Sequence, residues 1–195
     1  MRLPKTAHTE RPWRIHDVAY DFRVEDVWAL PTPGGHDDFP RLVRMAAALD
    51  PSRTSSPLVR ALFEIRWRVG GLLGLDDPST GLGERVMTLR DRLPDDLRGT
   101  TGSLPEFEAL PFEVLYVTGD ELAAEIANRT VHGVLHLGWV PDGAGGYRGQ
   151  LAVLVKPNGL LGSAYMTAIT PFRHLVVYPT MIRDFARAWP RARQA

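Results

Sequence analysis

The stretch LAVLVKPNGLLGSAYMTAITPFRHLVVYPTMIRDFARAW, residues 151–189, determines how this chain packs. It starts as an apolar run typical of a buried strand, turns at Pro157, Asn158 and Gly159, and continues as an apolar segment with helical spacing. Pro171 and Pro179 interrupt that segment, and a proline removes an amide donor and clashes with the preceding helical turn. The pattern therefore predicts a strand followed by a long helix that is kinked at its prolines.

The apolar stripe on this helix supports a kink, because its phase changes after the second proline. The first part of the stripe is Tyr165, Ile169, Phe172 and Val176, and the second part is Ile182, Phe185, Ala186 and Trp189. An alternative starts the helix at Thr170, with Pro171 in its first turn, and leaves residues 163–169 as a strand. The change of phase favours the kinked helix.

Upstream of this stretch, alternation and helix caps divide the chain into two helices and several strands. A first strand is predicted at 15–22, a helix from Asp37 or Asp38 to Leu49, and a second helix at 56–73. A long connection follows at 76–111 and can hold a short helix at 82–93. The remaining strands are predicted at 112–117, 121–128, 131–140 and 147–156. Strands grouped apart from helices indicate the α+β class.

The segment ELAAEIAN, residues 121–128, is the ambiguous strand in this order. Its glutamates, leucine and alanines favour a helix by propensity. It is short, however, and lies between two clear strand patterns, so we interpret it as a strand.

The bulk composition is that of an ordinary globular protein. The chain has 195 residues, is 44% hydrophobic, and contains 23 Lys+Arg and 23 Asp+Glu residues, which suits one domain at 15–195 after a loose polar arm at 1–14. Balanced charge argues against nucleic acid as a partner, because that affinity comes from neutralising phosphates. The chain has no cysteine, no signal-peptide pattern and no apolar run of the roughly 18 residues that span a membrane, so a cytoplasmic protein is predicted.

Three stretches of the chain resemble one family. They are IHDVAYDFRVEDVWALPTPGGHDDFPRLV (15–43), RTVHGVLHLGWVPDGAGGYRGQLAVLVKPNGLLG (129–162) and AYMTAITPFRHLVVYP (164–179), the last being the most specific. They are similar to DUF2867, a family of unknown function grouped with the START-like, Bet v 1-like proteins, which include polyketide cyclases and lipid carriers. The resemblance implies a helix-grip fold: a curved antiparallel sheet wrapped around a long C-terminal helix, with two short helices between the first and second strands. It implies no established catalytic residues.

Five aromatic side chains are candidates for binding a ligand between the sheet and the terminal helix. They are Trp28, Trp67, Tyr116, Trp139 and Tyr165. Large aromatic side chains more often fill a core than line a cavity. The resemblance to helix-grip proteins favours an open pocket by analogy, so both interpretations stay open.

The polar candidates lie on the predicted strands and on the terminal helix. His132 and His136 are four residues apart, which on a strand covers about 13 Å, too far for one metal ion, so neither a metal nor a cofactor is predicted. Alternation places both on the less buried face. Glu125 and His136 are the candidates for acid–base catalysis, because a buried carboxyl or imidazole can move a proton. His174 is predicted to face away from the sheet, and Arg173 to pair with an acid in the loops.

These patterns predict a small-molecule-binding protein whose ligand is apolar or amphipathic. Its enzymatic version is cyclase- or isomerase-like: the cavity orients a reactive chain and a polar side chain moves a proton. One alternative is a carrier or sensor without chemistry. Another is an interaction module whose cavity is filled by its own side chains. The residues alone do not decide among the three.

Overall fold

A six-stranded sheet and a long C-terminal helix form the core of the protein. The computed structural model describes residues 1–48, 50, 86–98, 105–107, 109–127 and 131–191, without the side chains of 160–165 and 168. The strands are β1 Arg2–Leu3, β2 Arg23–Ala29, β3 Glu113–Val117, β4 Glu121–Ala127, β5 Val131–Pro141 and β6 Tyr147–Pro157. The α-helices are α1 Thr6–Thr9, α2 Ile15–Val18, α3 Phe39–Ala47, α4 Asp95–Arg98, α5 Gly159–Phe172 and α6 Tyr178–Arg191. 3₁₀ turns lie at His36–Asp38 and Leu89–Arg92, and a π-helical segment, Arg173–Val177, joins α5 to α6.

Every strand of the sheet is antiparallel to its neighbours, in the order β1-β2-β6-β5-β4-β3. The four strands predicted from 112 to 156 are confirmed as β3 to β6, including the segment ELAAEIAN. The β5–β6 hairpin closes at Asp142, whose Oδ1 accepts the amide hydrogens of Ala144 and Gly146. Gly143 and Gly145 adopt positive φ there, which a residue with a Cβ disfavours. The α+β class is confirmed.

The first long strand lies further along the chain than predicted. A strand at 15–22 is wrong, because Ile15–Val18 forms α2 and β2 begins at Arg23. Ile15, Val18 and Ala19 are buried at helical spacing, whereas Tyr20, which the predicted alternation groups with Val18, is exposed. β2 pairs with β6, so an early strand and the last strand lie side by side.

The sheet is buried on both of its faces. On the helix face the strands pack against α3 and α6, in a core that includes Trp28, Leu137, Trp139, Leu151, Phe39, Leu42, Phe185 and Trp189. On the N-terminal face they pack against residues 13–19 and 89–97, in a core that includes Val27, Tyr116, Val134, Leu154, Trp13, Ile15, Val18, Leu89, Leu93 and Leu97. Burying one large apolar side chain contributes about 1.5–3 kcal/mol, so both coverings stabilise the sheet.

The first 14 residues are therefore not the loose arm that the sequence predicts. Residues 2 and 3 form β1 and pair with β2. His8 is fully buried, and Trp13 lies against Gly138 of β5. The close approach needs a glycine, because a Cβ at Gly138 would lie 2.7 Å from the indole ring of Trp13. The segment is held by a specific fit to the sheet.

The C-terminal helix is continuous over residues 159–191, so the predicted long helix is confirmed and the alternative strand at 163–169 is wrong. Gly159 starts it with a positive φ of 69° after β6. Pro171 and Pro179 each lack an amide hydrogen and interrupt the regular ladder, and the π segment begins two residues after the first and ends two residues before the second.

The apolar stripe beyond the π segment differs from the predicted one at a single position. Phe185 and Trp189 are buried and Ile182 is half-buried, as predicted, whereas Ala186 is exposed. Tyr178, the first residue of α6, is also buried. The apolar stripe of α6 thus begins directly after the π segment and continues along one side of the helix.

The remaining predicted elements fall partly outside the described residues. The helix predicted from Asp37 or Asp38 is confirmed as the 3₁₀ turn and α3, and the carboxylate of Asp38 accepts the amide hydrogen of Gly35 at 2.8 Å. The helix predicted at 56–73 lies outside the described residues. Within 86–98, the short helix expected at 82–93 is reduced to the turn Leu89–Arg92, and α4 follows it. None of the helices described is long and apolar enough to cross a membrane.

Candidate functional site

A buried carboxylate, Asp26, lies where β2 meets the C-terminal helix. It is 2% exposed and is on the same face of β2 as Trp28, the helix face. Its Oδ2 accepts the hydroxyl hydrogen of Tyr178 at 2.9 Å and contacts the guanidinium of Arg173 at 3.1 Å. Its Oδ1 accepts from Nε2 of His174 at 2.5 Å. These four residues, together with the more distant guanidinium of Arg2 at 3.7 Å, form the Asp26 cluster.

The π-helical segment brings three of these side chains onto one carboxylate. In a π-helix the backbone repeat joins residue i to residue i+5, so Arg173 and Tyr178 lie one wide turn apart. His174 is next to Arg173 and reaches the other oxygen of Asp26. Burial, and after it the negative charge of Asp26, raise the pKa of Tyr178 far above its usual value. The phenol therefore stays protonated and donates to Asp26.

Two hydrogen-bond donors of this region have no acceptor among the described residues. They are Nε of Arg173 and Nε1 of Trp28, both buried. The rest of the Arg173 guanidinium is occupied, because one terminal nitrogen contacts Asp26 and the other lies 4.0 Å from the sulfur of Met166. The Trp28 ring lies 4.9 Å from the Tyr178 ring. Most buried polar groups in proteins are paired, so these two donors are exceptions, as are five other buried side-chain atoms of the described residues.

A second polar constellation lies under the N-terminal segment, on the opposite face of the sheet. Nε2 of His136 donates to Oε2 of Glu121 at 2.8 Å. Because that nitrogen carries the proton, Nδ1 of His136 accepts from Nε2 of His8 at 3.2 Å. Glu121 also accepts from the hydroxyl of Tyr116 at 3.3 Å and from the amide of Arg14 at 2.9 Å. We call these five residues the His136 network.

The histidines of this network are neutral for physical reasons. Burial is the largest cause that lowers the pKa of His136, and the bond to Glu121 opposes it. Burial, followed by His136 and His16, lowers the pKa of His8 to about 3. His8 then has an unprotonated Nδ1 that is buried and has no partner among the described residues. In this neutral form the network joins the N-terminal segment to β4 and β5.

A second Glu–His pair repeats this arrangement four residues further along the same strands. Nε2 of His132 donates to Oε2 of Glu125 at 2.8 Å, and the amide of Leu89 donates to the same oxygen at 3.0 Å. The hydroxyl of Thr88 donates to Oε1. In both pairs the glutamate of β4 reaches diagonally to the histidine of β5. This pair anchors the 3₁₀ turn Leu89–Arg92 to the sheet.

The structure separates the predicted catalytic candidates. Glu125 and His136 are both fully buried, but each belongs to a different Glu–His pair. Both lie on the N-terminal face, whereas the predicted pocket is on the helix face. The prediction that His132 and His136 are on a less buried face is wrong, because residues 8–22 and 88–89 cover them.

The predicted ligand-binding aromatic residues do not share one surface either. Trp28 and Trp139 lie on the helix face. The indole donor of Trp139 is already used there, since its Nε1 donates to the carbonyl oxygen of Gly35 at 3.0 Å. Tyr116 lies on the opposite face, in the His136 network. Trp67 and the side chain of Tyr165 lie outside what the structure describes. Of the described three, Trp28 alone borders the Asp26 cluster.

Two predictions about the π segment need correction. His174 does not face away from the sheet but donates to Asp26, because the π turn changes the phase of the helical wheel. Arg173 does pair with an acid, as predicted, but that acid is on a strand rather than in a loop. Asp26 and Tyr178 were not among the predicted site residues. The usable signal was Asp26, an acid directly before the apolar run VWAL, whose position faces the terminal helix once β2 is placed correctly.

Among the described residues, no group of three His, Asp or Glu side chains is arranged to hold a metal ion. In comparisons with known proteins, a family model described as "Protein of unknown function (DUF2867)" matches residues 18–180. No curated protein and no solved structure matches the chain. The matched region contains Asp26, Trp28 and the whole π segment.

Proposed function

The chain belongs to the DUF2867 family, whose description assigns no activity, and we propose that it is a small-molecule-binding protein. The proposed ligand is amphipathic and lies between the sheet and the C-terminal helix, beside the Asp26 cluster. We further propose that this groove corresponds to the ligand groove of a helix-grip, START-like fold. Six antiparallel strands with a long C-terminal helix on one face support that assignment.

One observation carries this proposal: Nε of Arg173 and Nε1 of Trp28 are buried donors without an acceptor among the described residues. A buried donor left unpaired costs about 1–3 kcal/mol. A ligand with an acceptor group relieves that cost when it binds. The ring of Trp28 and the sulfur of Met166 supply apolar contact beside the same donors.

The π-helical segment also supports a binding role. A π turn is less stable than a continuous α-helix and persists where a particular geometry is needed. Here it puts Arg173, His174 and Tyr178 on one acid. Purely structural packing of an apolar helix on a sheet requires none of these polar contacts.

A second candidate function is acid–base catalysis by His174. The observation that favours it is the hydrogen bond of 2.5 Å from Nε2 of His174 to Oδ1 of Asp26. A carboxylate that accepts this hydrogen fixes the tautomer and leaves Nδ1 unprotonated, as a general base requires. When Nδ1 takes a proton, Asp26 stabilises the imidazolium. The His174 side chain is 21% exposed, so a bound molecule can reach the ring.

Native mass spectrometry of the purified protein tests the binding function. We expect a mass shift from a co-purified amphipathic compound, and thermal stabilisation by members of a panel of fatty acids, fatty alcohols, sterols and aromatic polyketides. Trp28→Phe is expected to reduce the stabilisation, because it keeps an aromatic ring and removes the indole donor. If no compound co-purifies and no panel member stabilises the protein, the proposal is contradicted.

The two candidate functions are separated by following the bound compound. Incubation of the protein with that compound, followed by liquid chromatography and mass spectrometry, distinguishes binding from conversion. An enzyme converts it, and His174→Gln abolishes conversion while binding persists. Recovery of the compound unchanged by the natural protein rules out catalysis on it and leaves a carrier or sensor.

A further inference from the structure

The N-terminal segment, residues 1–14, lies across one face of the sheet and is held there by few contacts. Two of its side chains, His8 and Trp13, are buried, and the other twelve are exposed or half-buried. Its strand β1 pairs with β2 at two residues, whereas β5 pairs with β6 at eleven. Nε2 of Gln150 donates to the carbonyl oxygen of Ala7 at 3.2 Å. A segment with few buried contacts opens at a lower free energy than the core, so this one can leave the sheet by itself.

The hydrogen bond between His8 and His136 is arranged for neutral rings. Nε2 of His8 donates to Nδ1 of His136 at 3.2 Å, while Nε2 of His136 donates to Glu121 at 2.8 Å. A proton added to Nδ1 of His136 takes away the acceptor that His8 uses. A proton added to Nδ1 of His8 is buried without an acceptor among the described residues. Protonation is therefore costly while the segment lies on the sheet.

The titratable groups that face His8 come from four elements and the turn before β4. They are His16 on α2, Tyr116 on β3, Asp120 in the turn, Glu121 on β4 and His136 on β5, and β6 contributes Gln150, which does not titrate. The rings of His16 and His136 contact that of His8, with centroids 4.9 Å away. Glu121 contacts His136 instead of His8. A positive charge on His8 thus meets two imidazoles at its ring, and the nearest carboxylate lies behind one of them.

We infer that His8 is an acid-sensitive latch: at mildly acidic pH its protonation favours a state in which residues 1–14 leave the sheet while β2–β6 stay paired. In that open state His8 is in water and takes up a proton near its ordinary pKa of 6.5. Opening uncovers His136 and Gly138, which His8 and Trp13 contact in the closed state. The latch is independent of the proposed ligand, because it lies on the opposite face from the Asp26 cluster.

Hydrogen exchange between pH 7.5 and 5, corrected for the intrinsic exchange rate, measures the opening. The amide of Arg14 is the reporter, because it donates to Glu121 at 2.9 Å in the closed state. We expect its protection to fall about 30-fold over this range, since the open state gains a factor of about ten for each pH unit below 6.5.

The dependence on urea separates opening of the segment from unfolding of the whole protein. Urea below the unfolding transition should leave exchange at Arg14 almost unchanged and should speed exchange in β6, because local opening exposes little surface. Exchange of Arg14 and β6 at one rate and with one urea dependence overturns the inference. So does a protection of Arg14 that is the same at pH 7.5 and 5.

Two variants that cannot titrate at His8 identify the residue responsible. His8→Gln keeps a donor for His136, and His8→Phe keeps a ring against Trp13 and His16. Both are expected to lose most of the pH dependence at Arg14. His36→Gln is the matched control and should keep it, because the His36 side chain is 78% exposed.

Two outcomes with the His8 variants decide the matter. A full 30-fold change in both variants, as in the natural protein, overturns the inference. If both variants leave residues 1–14 unprotected at every pH, the pH and urea dependence of the natural protein decides alone.

Discussion

Lowering the pH from 7.5 to 5 is expected to destabilise the protein by about 2 kcal/mol through His8 alone. Burial and the neighbouring histidines lower the pKa of His8 from 6.5 to about 3 in the folded protein. The unfolded chain takes up a proton at His8 near pH 6.5, whereas the folded protein takes it up only near pH 3. The unfolded state thus binds more protons between these values, and stability rises with pH across that window.

The magnitude follows from the difference between pH 5 and the pKa of His8 in the unfolded chain. That pKa is 6.5, so the difference is 1.5 pH units, and each unit corresponds to about 1.4 kcal/mol. Above pH 6.5 the contribution of His8 is complete. The pKa of His136 is lowered as well, so it acts in the same direction. Ordinary carboxylates titrate below this window, at about pH 4, and contribute little to the change.

Urea denaturation at pH 7.5, 6.5, 5.5 and 5.0 measures this dependence. The variant His8→Gln keeps a donor for Nδ1 of His136 but does not titrate, so its stability should depend less on pH over this range. His36→Gln is the matched control, because the His36 side chain is 78% exposed. If His8→Gln loses as much stability between pH 7.5 and 5 as the natural protein, then His8 is not held neutral by its surroundings.

Two further predictions concern the sheet. Glu125→Ala is expected to reduce stability by about 3 kcal/mol, because it leaves a buried histidine and two further donors without their acceptor. Its control, Glu113→Ala, alters an exposed acid and is expected to change stability by about 0.5 kcal/mol or less. Gly138→Ala is expected to cost about 1–3 kcal/mol, since the added Cβ would lie 2.7 Å from the Trp13 ring. Gly119→Ala, where nothing lies within 4 Å, is the control and should be neutral. Urea denaturation measures all four variants, and equal losses in a variant and its control would contradict the assigned contacts.

Local patterns were sufficient to predict most of the sheet. Strict alternation identified β3, β5 and β6, and two flanking strands outweighed the helical propensity of β4. The continuous terminal helix was also predictable, because its apolar segment is too long for one strand. These elements depend on neighbouring residues in the sequence.

The covering of the N-terminal face was not predictable in the same way. Whether His136 is exposed depends on His8 and Trp13, which are more than 120 residues away in the chain. The sequence 1–14 is polar and reads as a loose arm, because its buried residues are few and widely spaced. The vacancy above Gly138 that accepts Trp13 becomes visible only when the strands are paired.

The Asp26 cluster was missed for a geometric reason. A helical wheel assumes about 3.6 residues per turn, and a π segment breaks that assumption over five residues. The helical wheel therefore predicted that His174 faces away from the sheet, although His174 contacts Asp26. The strand predicted at 15–22 also left Asp26 outside any element, so no pattern paired it with the terminal helix.

The central claim, that an amphipathic ligand occupies the groove at the Asp26 cluster, is tested most directly by the indole NMR signals of the five tryptophans. Protein labelled with ¹⁵N at tryptophan Nε1 is titrated with decanoate, and Trp28→Phe and Trp13→Phe assign two of the signals. Trp13 is an internal control, since its Nε1 is also buried without an acceptor among the described residues but lies on the opposite face. We predict that the Trp28 signal shifts as its hydrogen bond forms while the Trp13 signal stays in place. Binding of decanoate with an unmoved Trp28 signal would contradict the account.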